Sequence, residues 1–502
     1  MKKRSFSPFV LFLFPLAALA LLVAVGCSNE SNDLDSEEVV EIVLTPENAE
    51  ESIDTDSRQT TDALAAEGMS VASGTNSRVR AKRNVILMIA DGAGFGSFYS
   101  AADFMSGAPN GLFYQKSPWE FVCCATFHKK SFYDPEQDWA YFPNFSLPIE
   151  QKPAEFIPPD SASTATALNT GVKTRNGRIG VGPADERLVT LAELAKKNGF
   201  GTGAVSSVQV ASATPAAVAA HNVERKSGQE LFSQMLFENN LDVIIGSGHP
   251  EFDNDGRPRA PHFGKYGPSA EVWSRIRSGA LSETWTFAET REAFVGIANG
   301  TTPTPRRLLG LAPVDASFQF DRAPNAPRME SVPTLSEVSL AALKVLEQNE
   351  RGFFIMIEGG AVDNANHWGN LERCVEEMVE FNLAVEAVCR WVEEHSSWED
   401  TLVIVTTDHD TGAIYGLHAD ENGIPREIPS FQGKGRLPIA KYYANDHTKQ
   451  IVPIYARGRG AENLRKNFRG KDAKMGEMWS VDGNYIDNTD VFPIMRDTLL
   501  GE

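Results

Sequence analysis

Glu358, Asp363 and His367 form a close group of chemically reactive side chains in this 502-residue sequence. They lie in "FFIMIEGGAVDNANHWGN", residues 353–370, where an apolar run typical of a buried strand ends in an acid. Asp363 and His367 are four residues apart, so one turn of helix would direct both toward the same point. Carboxylate and imidazole at this spacing favour a metal site just beyond the strand.

Two further apolar runs end in acid in the same way. "NVILMIAD" (84–91) ends in Asp91, and "TLVIVTTD" (401–408) is followed directly by His409. A single acid at a strand end is more often a turn or helix-cap residue. Three such acids at neighbouring strand ends would repel one another unless a cation lay between them. Together they favour metal binding.

The candidate ligands differ in chemistry. Asp408 and His409 are adjacent, and His447 in "NDHTKQ" is a further candidate, although a surface histidine explains His447 alone equally well. A mixture of imidazole and carboxylate suits zinc, whereas an oxygen-only pocket around Asp91 and Glu358 suits magnesium.

A candidate nucleophile lies in "IPPDSASTATALNTGVKTRNGRIGV", residues 157–181. Pro158 and Pro159 end an extended segment, and an alanine-rich helix is predicted to start at about Asp160. Ser161 would then lie on the first helical turn, where free N–H groups and the helix dipole attract an anion. A nearby metal could activate its hydroxyl, although an ordinary cap is the alternative.

These residues need elements that bring them together. Buried strands are predicted at 84–91, 201–207, 241–247, 352–358, 401–408 and 451–458. Helical periodicity covers "LVTLAELAKKNG", with Gly199 as C-cap, "TLSEVSLAALKVLEQNE" and 368–395. Alternating strands and helices predict an α/β fold with a mostly parallel sheet, whose ligands bind beyond the carboxyl ends of the strands.

Several motifs, in this order along the chain, resemble the alkaline phosphatase family. They are "ADGAG", "DSASTATALNTGVKTRNGRIGV", "ASATPAAVAAHNVER" (211–225), "EGGAVDNANH", "TTDHDTG" and the late "DHT". The resemblance covers roughly 82–500 and is typical of bacterial members with a lipoprotein-like export signal. It implies a three-layer α/β sandwich, with a large, mostly parallel central sheet and helices on both faces.

The resemblance implies a role for each candidate residue. Ser161 would be the nucleophile that forms a phosphoserine, and Arg225 would clamp two phosphate oxygens with its planar guanidinium. Asp363, His367 and His447 would hold the first zinc ion, which positions water and stabilises the leaving oxygen.

The same resemblance implies two further metal ions. Asp408, His409 and Asp91 would hold the second zinc ion, which activates the serine. Asp91, Thr214 and Glu358 would hold one magnesium ion. The family also suggests a homodimer.

Two residues depart from common family patterns. Ser212 stands where Asp or His is frequent, and Asn364 stands where Lys or His is frequent, which bears on the third metal and on phosphate affinity. The segments near 126–157 and 415–446 are predicted to be insertions. Four aromatic residues of the first insertion could wall the site or, as we favour, pack under a loop: Phe132, Tyr133, Trp139 and Tyr141.

The amino terminus has the features of an export signal. Residues 1–26 combine basic residues with an apolar run and predict a lipoprotein-type signal peptide, with Cys27 in "AVGCSN" as the lipidated residue and membrane anchor. A plain signal peptide or an uncleaved anchor helix are the alternatives. Residues 27–81 are acidic and poor in apolar side chains, which predicts a flexible tether before a catalytic domain at 82–502.

The remaining four cysteines give no clear disulfide framework. Cys374 and Cys389 are fifteen apart on one predicted helix, hence about 22 Å apart at ~1.5 Å per residue, too far to bond. Pairing with Cys123 or Cys124 and free buried thiols both stay open.

The formal net charge of −20 argues against non-specific nucleic-acid binding, but not against a small anionic substrate bound beside metal ions. The resulting prediction is an exported, lipid-anchored enzyme that hydrolyses small phosphate monoesters. Two alternatives are a diesterase or sulfatase on the same fold, and a lipoprotein that binds phosphate or metal without turnover. The "ASTA" after Ser161 disfavours a sulfatase, and a pure binder would need no nucleophile.

Overall fold

The computed structural model describes residues 82–501, so the predicted signal peptide, the tether and Cys27 lie outside the described residues. The strands are β1 Arg83–Ala90, β2 Glu120–Ala125, β3 Gly201–Gln209, β4 Val243–Ser247, β5 Thr286–Ala288, β6 Leu308–Leu311, β7 Gly352–Gly359, β8 Thr401–Thr406, β9 Asp410–Thr411, β10 Ile414–Tyr415, β11 Lys441–Tyr442, β12 His447–Thr448, β13 Val452–Gly458, β14 Gly470–Lys471 and β15 Asn484–Asp487.

The α-helices are α1 Phe95–Ser106, α2 Pro135–Tyr141, α3 Ser161–Thr170, α4 Leu191–Lys197, α5 Ala213–Ala216, α6 Gly228–Phe237, α7 Ala270–Arg277, α8 Arg291–Ala298, α9 Leu335–Leu346, α10 Ala361–His367, α11 Leu371–His395, α12 Ala473–Trp479 and α13 Val491–Leu500. The 3-10 helices are Phe113–Gln115, Phe142–Asn144, Ile149–Gln151, Ala154–Phe156, Ala461–Lys466 and Asn488–Asp490.

Eleven strands form one central sheet in the order β14-β15-β2-β13-β8-β1-β7-β3-β4-β6-β5. Strand β13 runs antiparallel to both of its neighbours, and β14 runs antiparallel to β15. The other neighbouring pairs are parallel. The predicted large, mostly parallel sheet is therefore confirmed.

Helices cover both faces of this sheet. In β1, Ile86 and Met88 join a core shared with helices α9 and α11, whereas Val85 and Leu87 join a second core shared with α3, α4 and α13. Because side chains alternate along a strand, a strand buried on both faces needs a continuous apolar run. That requirement explains the composition of "NVILMIA".

The strand order brings the acidic strand ends to one edge. Strand β1 lies between β7 and β8, and Ile89 pairs with Glu358 on one side and with Thr406 on the other. Asp91 and Asp408 each follow two residues after these paired positions. The three carboxylates therefore meet where the central strands end.

Some predicted boundaries were wrong. Strand β8 ends at Thr406, two residues before Asp408, because the chain turns there toward the site. The long helix begins at Leu371 rather than 368, since the Asn370 side chain caps it by accepting from the Arg373 amide. Gly199 is not the C-cap of α4; Asn198 is, and Gly199 follows with φ 78°. Nine strands were missed, and all of them except β2 are four residues long or shorter: β2, β5, β6, β9, β10, β11, β12, β14 and β15.

The four cysteines of the described chain are free and buried. Cys374 and Cys389 both lie on α11, which confirms that they are on one helix. No helix within residues 82–501 has the length and apolar character needed to cross a membrane.

Candidate active site

Ser161 is the first residue of helix α3 and is buried. Asp160 caps this helix, since its Oδ1 accepts a 2.9 Å hydrogen bond from the Ser163 amide. The Ser161 Oγ lies 3.3 Å from His409 Nε2. The hydroxyl thus occupies the positive end of the helix and faces a candidate metal ligand.

Arg225 is held beside this serine by Asp160. Its Nη1 donates to Asp160 Oδ2 at 3.0 Å, and the Gly177 amide donates to the same oxygen at 2.8 Å. Burial alone would raise the pKa of Asp160, but Arg225 and the Ser163 amide lower it below its ordinary value. Asp160 is therefore ionised and anchors the guanidinium at the amino-terminal end of the helix that carries Ser161.

Asp91, Glu358 and Asp408 form a buried acidic group at the ends of β1, β7 and β8. Burial raises the pKa of each carboxyl, to about 7 for Glu358, and repulsion from Asp408 adds to the shift at Asp91. Such mutual repulsion in a protein interior is the situation that a bound cation relieves.

Two oxygens of this acidic group are orphaned. Thr214 Oγ1 donates to Asp91 Oδ2 at 3.2 Å, and Ser206 Oγ donates to Glu358 Oε2 at 2.5 Å. The other oxygens, Asp91 Oδ1 and Glu358 Oε1, are buried and accept no hydrogen bond from residues 82–501. Buried acceptors of this kind are costly unless they bind an ion, so the donor set fits a metal.

A second group surrounds Asp363 on α10. His367 Nε2 lies 3.4 Å from Asp363 Oδ2, and His447 Nε2 lies 3.4 Å from Asp363 Oδ1. The two imidazole Nε2 atoms are 2.9 Å apart. Two imidazole nitrogens and a carboxylate that converge on one point form a donor set that suits zinc.

The outer nitrogens of the histidines have their own partners. His447 Nδ1 lies 2.8 Å from the Pro159 carbonyl oxygen, and His367 Nδ1 lies 3.5 Å from the carbonyl oxygen of Asn445. A carbonyl can only accept, so each Nδ1 carries a proton and Nε2 is the ring nitrogen that faces the cluster. A metal ligand needs this ring orientation, because the ion would take the place of a proton on Nε2.

Charge is unevenly distributed within the cluster. Burial opposes both shifts, yet His447 lowers the pKa of Asp363 well below its ordinary value, and Asp363 raises that of His447 to about 9. Burial and the neighbouring His447 lower the pKa of His409 well below its ordinary value. His409 is therefore neutral, with a free lone pair.

The structure brings together the site residues predicted from the sequence. Within residues 82–501, two sets have candidate ligand atoms all within 4.8 Å of one another: Asp363, His367 and His447; and Asp91, Asp363 and His409. Asp363 belongs to both sets. Asp408 lies against the second set, with its Oδ2 3.2 Å from His409 Nε2.

Gly92 makes this close assembly possible. It has φ 70°, a conformation that L side chains rarely adopt, and a Cβ there would lie 2.5 Å from Asp363 Oδ1. The turn after β1 can therefore pass directly over the Asp363 carboxylate.

Sequence reasoning missed three hydroxyl groups that orient the carboxylates. Thr411 Oγ1 donates to Asp363 Oδ1 at 2.6 Å, Thr164 Oγ1 donates to Asp408 Oδ2 at 3.2 Å, and Ser206 donates to Glu358 as described above. Thr411 could have been found because it follows His409 by two residues in "TTDHDTG". Ser206 carries no comparable signal.

The aromatic residues of the first predicted insertion mainly pack within the protein. Tyr133 and Trp139 are buried and both donate to Asp472 Oδ2, at 2.6 and 2.9 Å. Phe132 is exposed and lies over the Lys449 ammonium. This favours packing under a loop over a wall of the site.

The fold and the site together define an α/β protein whose buried serine lies beside two sets of residues suited to hold metal ions. The alkaline phosphatase family model matches residues 82–482, and the chain belongs to this family.

Named relatives agree with this assignment. The chain is 28% identical to alkaline phosphatase of Escherichia coli strain K12 over 416 residues, which span 76% of this chain and 82% of the relative. Alkaline phosphatase from the Antarctic bacterium TAB5 has the same fold, with a TM-score of 0.58 at 22% identity over 84% of this chain and 99% of that chain. A variant of the TAB5 enzyme has Mg bound in its M3 site, at a TM-score of 0.57, 22% identity and the same coverage. The family and its named members support phosphomonoesterase activity.

Proposed function

We propose that this protein hydrolyses phosphate monoesters through a phosphoserine at Ser161 and releases inorganic phosphate outside the cytoplasm. The observation that carries the proposal is the position of Ser161 Oγ, at the amino-terminal end of α3 and 3.3 Å from His409 Nε2. Family membership supports the substrate class.

Two zinc ions and one magnesium ion complete the proposed site. In this proposal the first zinc binds Asp363, His367 and His447, the second zinc binds Asp91, Asp408 and His409, and magnesium binds Asp91, Thr214 and Glu358. The convergence of Asp363, His367 and His447, the position of Asp408 beside His409, and the buried acceptors of Asp91 and Glu358 support it. Bound metal would supply positive charge that lowers the pKa of the serine hydroxyl and stabilises charge on the phosphate and the departing oxygen.

Arg225 orients the phosphate for attack. Within residues 82–501, Nη1 is the guanidinium nitrogen that donates to a protein acceptor, which leaves Nε and Nη2 available for two phosphate oxygens. A phosphate monoester has one more non-bridging oxygen than a diester. An oxygen for the metal ions therefore remains on a monoester when Arg225 binds the other two. Asp160 holds this donor pair in place, so little ordering is lost when substrate binds.

The reaction proceeds in two displacements. Ser161 Oγ loses its proton and forms a bond to phosphorus, the phosphorus–oxygen bond to the alcohol breaks, and the alcohol oxygen takes up a proton, so that the proton count is unchanged. A water oxygen then bonds to the same phosphorus, the Oγ–phosphorus bond breaks, and inorganic phosphate leaves as the serine hydroxyl is restored. Arg225 contacts the phosphate in both steps.

A hydrolysis panel tests the proposed function. Purified protein, loaded with zinc and magnesium, is assayed on a phosphate monoester, a phosphate diester and a sulfate ester. We expect turnover of the monoester to exceed that of the other two by orders of magnitude. Preferred turnover of the diester would favour the alternative enzyme on the same fold, and binding without turnover of any ester would favour a binding protein.

The cellular placement is part of this proposal. The basic and apolar residues 1–26 and Cys27 in "AVGCSN" support export followed by lipid anchoring. We propose small phosphomonoesters as substrates, no nucleic-acid partner, and a homodimer. Labelling of cells with a lipid precursor, compared between the natural chain and Cys27→Ala, tests the anchor.

A further inference from the structure

Trp368 is the most exposed large apolar side chain in the described part of the chain, at 80% exposure. It is the C-cap residue of α10 and directly follows His367. A large aromatic ring normally contributes most when buried, so solvent exposure beside a candidate metal ligand calls for a partner.

A cavity of about 320 Å³ opens beside this ring. His367, Trp368, Tyr442, Asn445 and Ser146 are among the residues that line it. Ser146 comes from the first predicted insertion, and Tyr442 and Asn445 come from the second. Its volume is at the lower end of the range for small-molecule pockets.

His367 links the cavity to the candidate active site. The imidazole of His367 lines the cavity and also lies 2.9 Å from His447 Nε2. The ring of His447 stacks on that of His409, with centroids 3.7 Å apart, and His409 faces Ser161. The cavity therefore lies on the side of the histidine group away from the nucleophile.

The geometry of an in-line displacement indicates which part of the substrate would lie in the cavity. In an in-line displacement, the leaving oxygen departs opposite the attacking serine. If Ser161 attacks from the His409 side, the alcohol portion of the ester points past His447 and His367 toward the cavity.

We propose that the cavity binds the leaving group of the ester and that Trp368 stacks on an aromatic ring in it. The substrates it favours are monoesters of nucleosides or of other alcohols that carry an aromatic ring. This inference rests on the proposed function and names its substrate class. The exposed side-chain amide of Asn445 can donate to and accept from ring heteroatoms at the same place.

Hydrogen bonds within the protein fix the side chains of Tyr442 and Ser146 in the cavity wall. Tyr442 donates its hydroxyl to Asn366 Oδ1 at 3.1 Å, and Ser146 donates to the Tyr443 carbonyl oxygen at 2.8 Å. Both hydroxyl oxygens can still accept from a ligand. Their fixed geometry means that stacking on Trp368 orders few additional side chains.

Steady-state kinetics on matched substrates tests the inference. Trp368→Ala and Trp368→Phe are compared with the natural protein on adenosine 5′-monophosphate, phenyl phosphate and glycerol 2-phosphate. We expect Trp368→Ala to lower kcat/KM for the two aromatic esters by about five- to hundredfold, mainly through a higher KM. This is the loss in affinity that corresponds to the free energy of stacking a base on an aromatic residue. Glycerol 2-phosphate should change by less than about twofold, and Trp368→Phe should retain most of the activity on aromatic esters.

Leu417 provides a matched control, since it is an exposed apolar residue of the same predicted insertion that supplies Tyr442. Leu417→Ala should behave as the natural protein on all three esters. An equal loss on aromatic and glycerol esters in Trp368→Ala would mean that Trp368 positions His367, and would overturn the subsite. Sedimentation that changes from dimer to monomer in Trp368→Ala would show that a second copy covers the ring, with the same consequence.

A binding measurement separates this inference from the proposed function. Saturation-transfer NMR with adenosine, which has no phosphate, should show contact to the natural protein that is lost in Trp368→Ala and kept in Trp368→Phe. If the protein hydrolyses no ester but adenosine contact still depends on Trp368, the proposed function fails and the subsite stands. Adenosine contact that is unchanged in Trp368→Ala would overturn the subsite whatever the activity.

Discussion

Asp160 acts both as the cap of α3 and as the anchor of Arg225, through its two carboxylate oxygens. This one residue therefore links the helix that carries the nucleophile to the proposed phosphate clamp. The ion pair between Arg225 and Asp160 forms without substrate. The remaining donors of Arg225 contribute binding energy only when phosphate is bound.

Arg225→Ala should raise KM and weaken inhibition by inorganic phosphate by about tenfold or more, because charge-assisted hydrogen bonds contribute about 1.5–3 kcal/mol each. Inhibition constants for phosphate give the measurement. Arg187→Ala is the control, since Arg187 pairs with Glu193 and Glu238 outside the site. An unchanged inhibition constant in Arg225→Ala would mean that Arg225 does not contact the substrate.

Glu377 on α11 is a buried carboxyl outside the site. Its Oε1 accepts no hydrogen bond from residues 82–501, and burial, together with Glu380 and Glu376, raises its pKa from 4.5 to about 8. The folded protein thus holds the proton more tightly than the unfolded chain. The stability that results is fully present below about pH 4.5 and is lost as the pH rises through about 8.

Glu377→Gln should remove this pH dependence, because glutamine stays neutral. A shift of one pKa unit corresponds to about 1.4 kcal/mol. The free energy of unfolding of the variant, relative to that of the natural protein, should therefore rise by a few kcal/mol from pH 5 to pH 9. Denaturant unfolding across that range gives the measurement, with Glu372→Gln, an exposed acid of the same helix, as control. A difference that is independent of pH would show that Glu377 is not protonated in the folded state.

The central strands position the candidate metal ligands through their order and register. Strands β8, β1 and β7 are neighbours, and the turn after β1 crosses Asp363 at Gly92. Any side chain at Gly92 must displace the Asp363 carboxylate. The geometry of this turn therefore belongs to the site as much as the ligands do.

Gly92→Ala should lose zinc and lower the stability by about 1–3 kcal/mol beyond backbone strain, because its Cβ would crowd Asp363 Oδ1. Gly300→Ala is a matched control: Gly300 has φ 73°, and a Cβ there would meet nothing within 4 Å. Zinc content and thermal unfolding are measured for both variants. Equal zinc content and equal destabilisation in the two would show that crowding at Asp363 is unimportant.

The sequence predicted the acidic strand ends because a strand buried on both faces leaves a visible apolar run. It also predicted the pairing of Asp363 with His367, since helical spacing is local. It could not predict that Ser206 bonds Glu358, because their contact spans 152 residues and depends on β3 lying beside β7. The cavity at Trp368 was missed for the same reason: its walls come from three distant segments.

At the scale of the whole molecule, the net charge of −20 would repel an anionic substrate unless the site itself were positive. The described residues place buried, mutually repelling carboxylates at that site, and Arg225 alone does not reverse their sign. A phosphate ester therefore needs additional positive charge at the site, which the metal ions of the proposed function would supply.

Chelation should inactivate the protein, and zinc with magnesium should restore it. Glu358→Gln should weaken magnesium binding first, whereas His367→Ala should lose zinc, because carboxylate and imidazole prefer different ions. His395→Ala, an exposed histidine outside the cluster, should retain all three ions. Elemental analysis during activity assays gives the result, and active protein without bound metal would contradict the proposed site.

The most direct test of the central claim is acid quench during turnover of a phosphate monoester, followed by peptide mapping by mass spectrometry. We expect one phosphoryl group on the peptide that contains Ser161, and none in Ser161→Ala, whose turnover should fall by several orders of magnitude. Phosphate trapped on a different residue, or full turnover by Ser161→Ala, would contradict the assignment of Ser161 as the nucleophile.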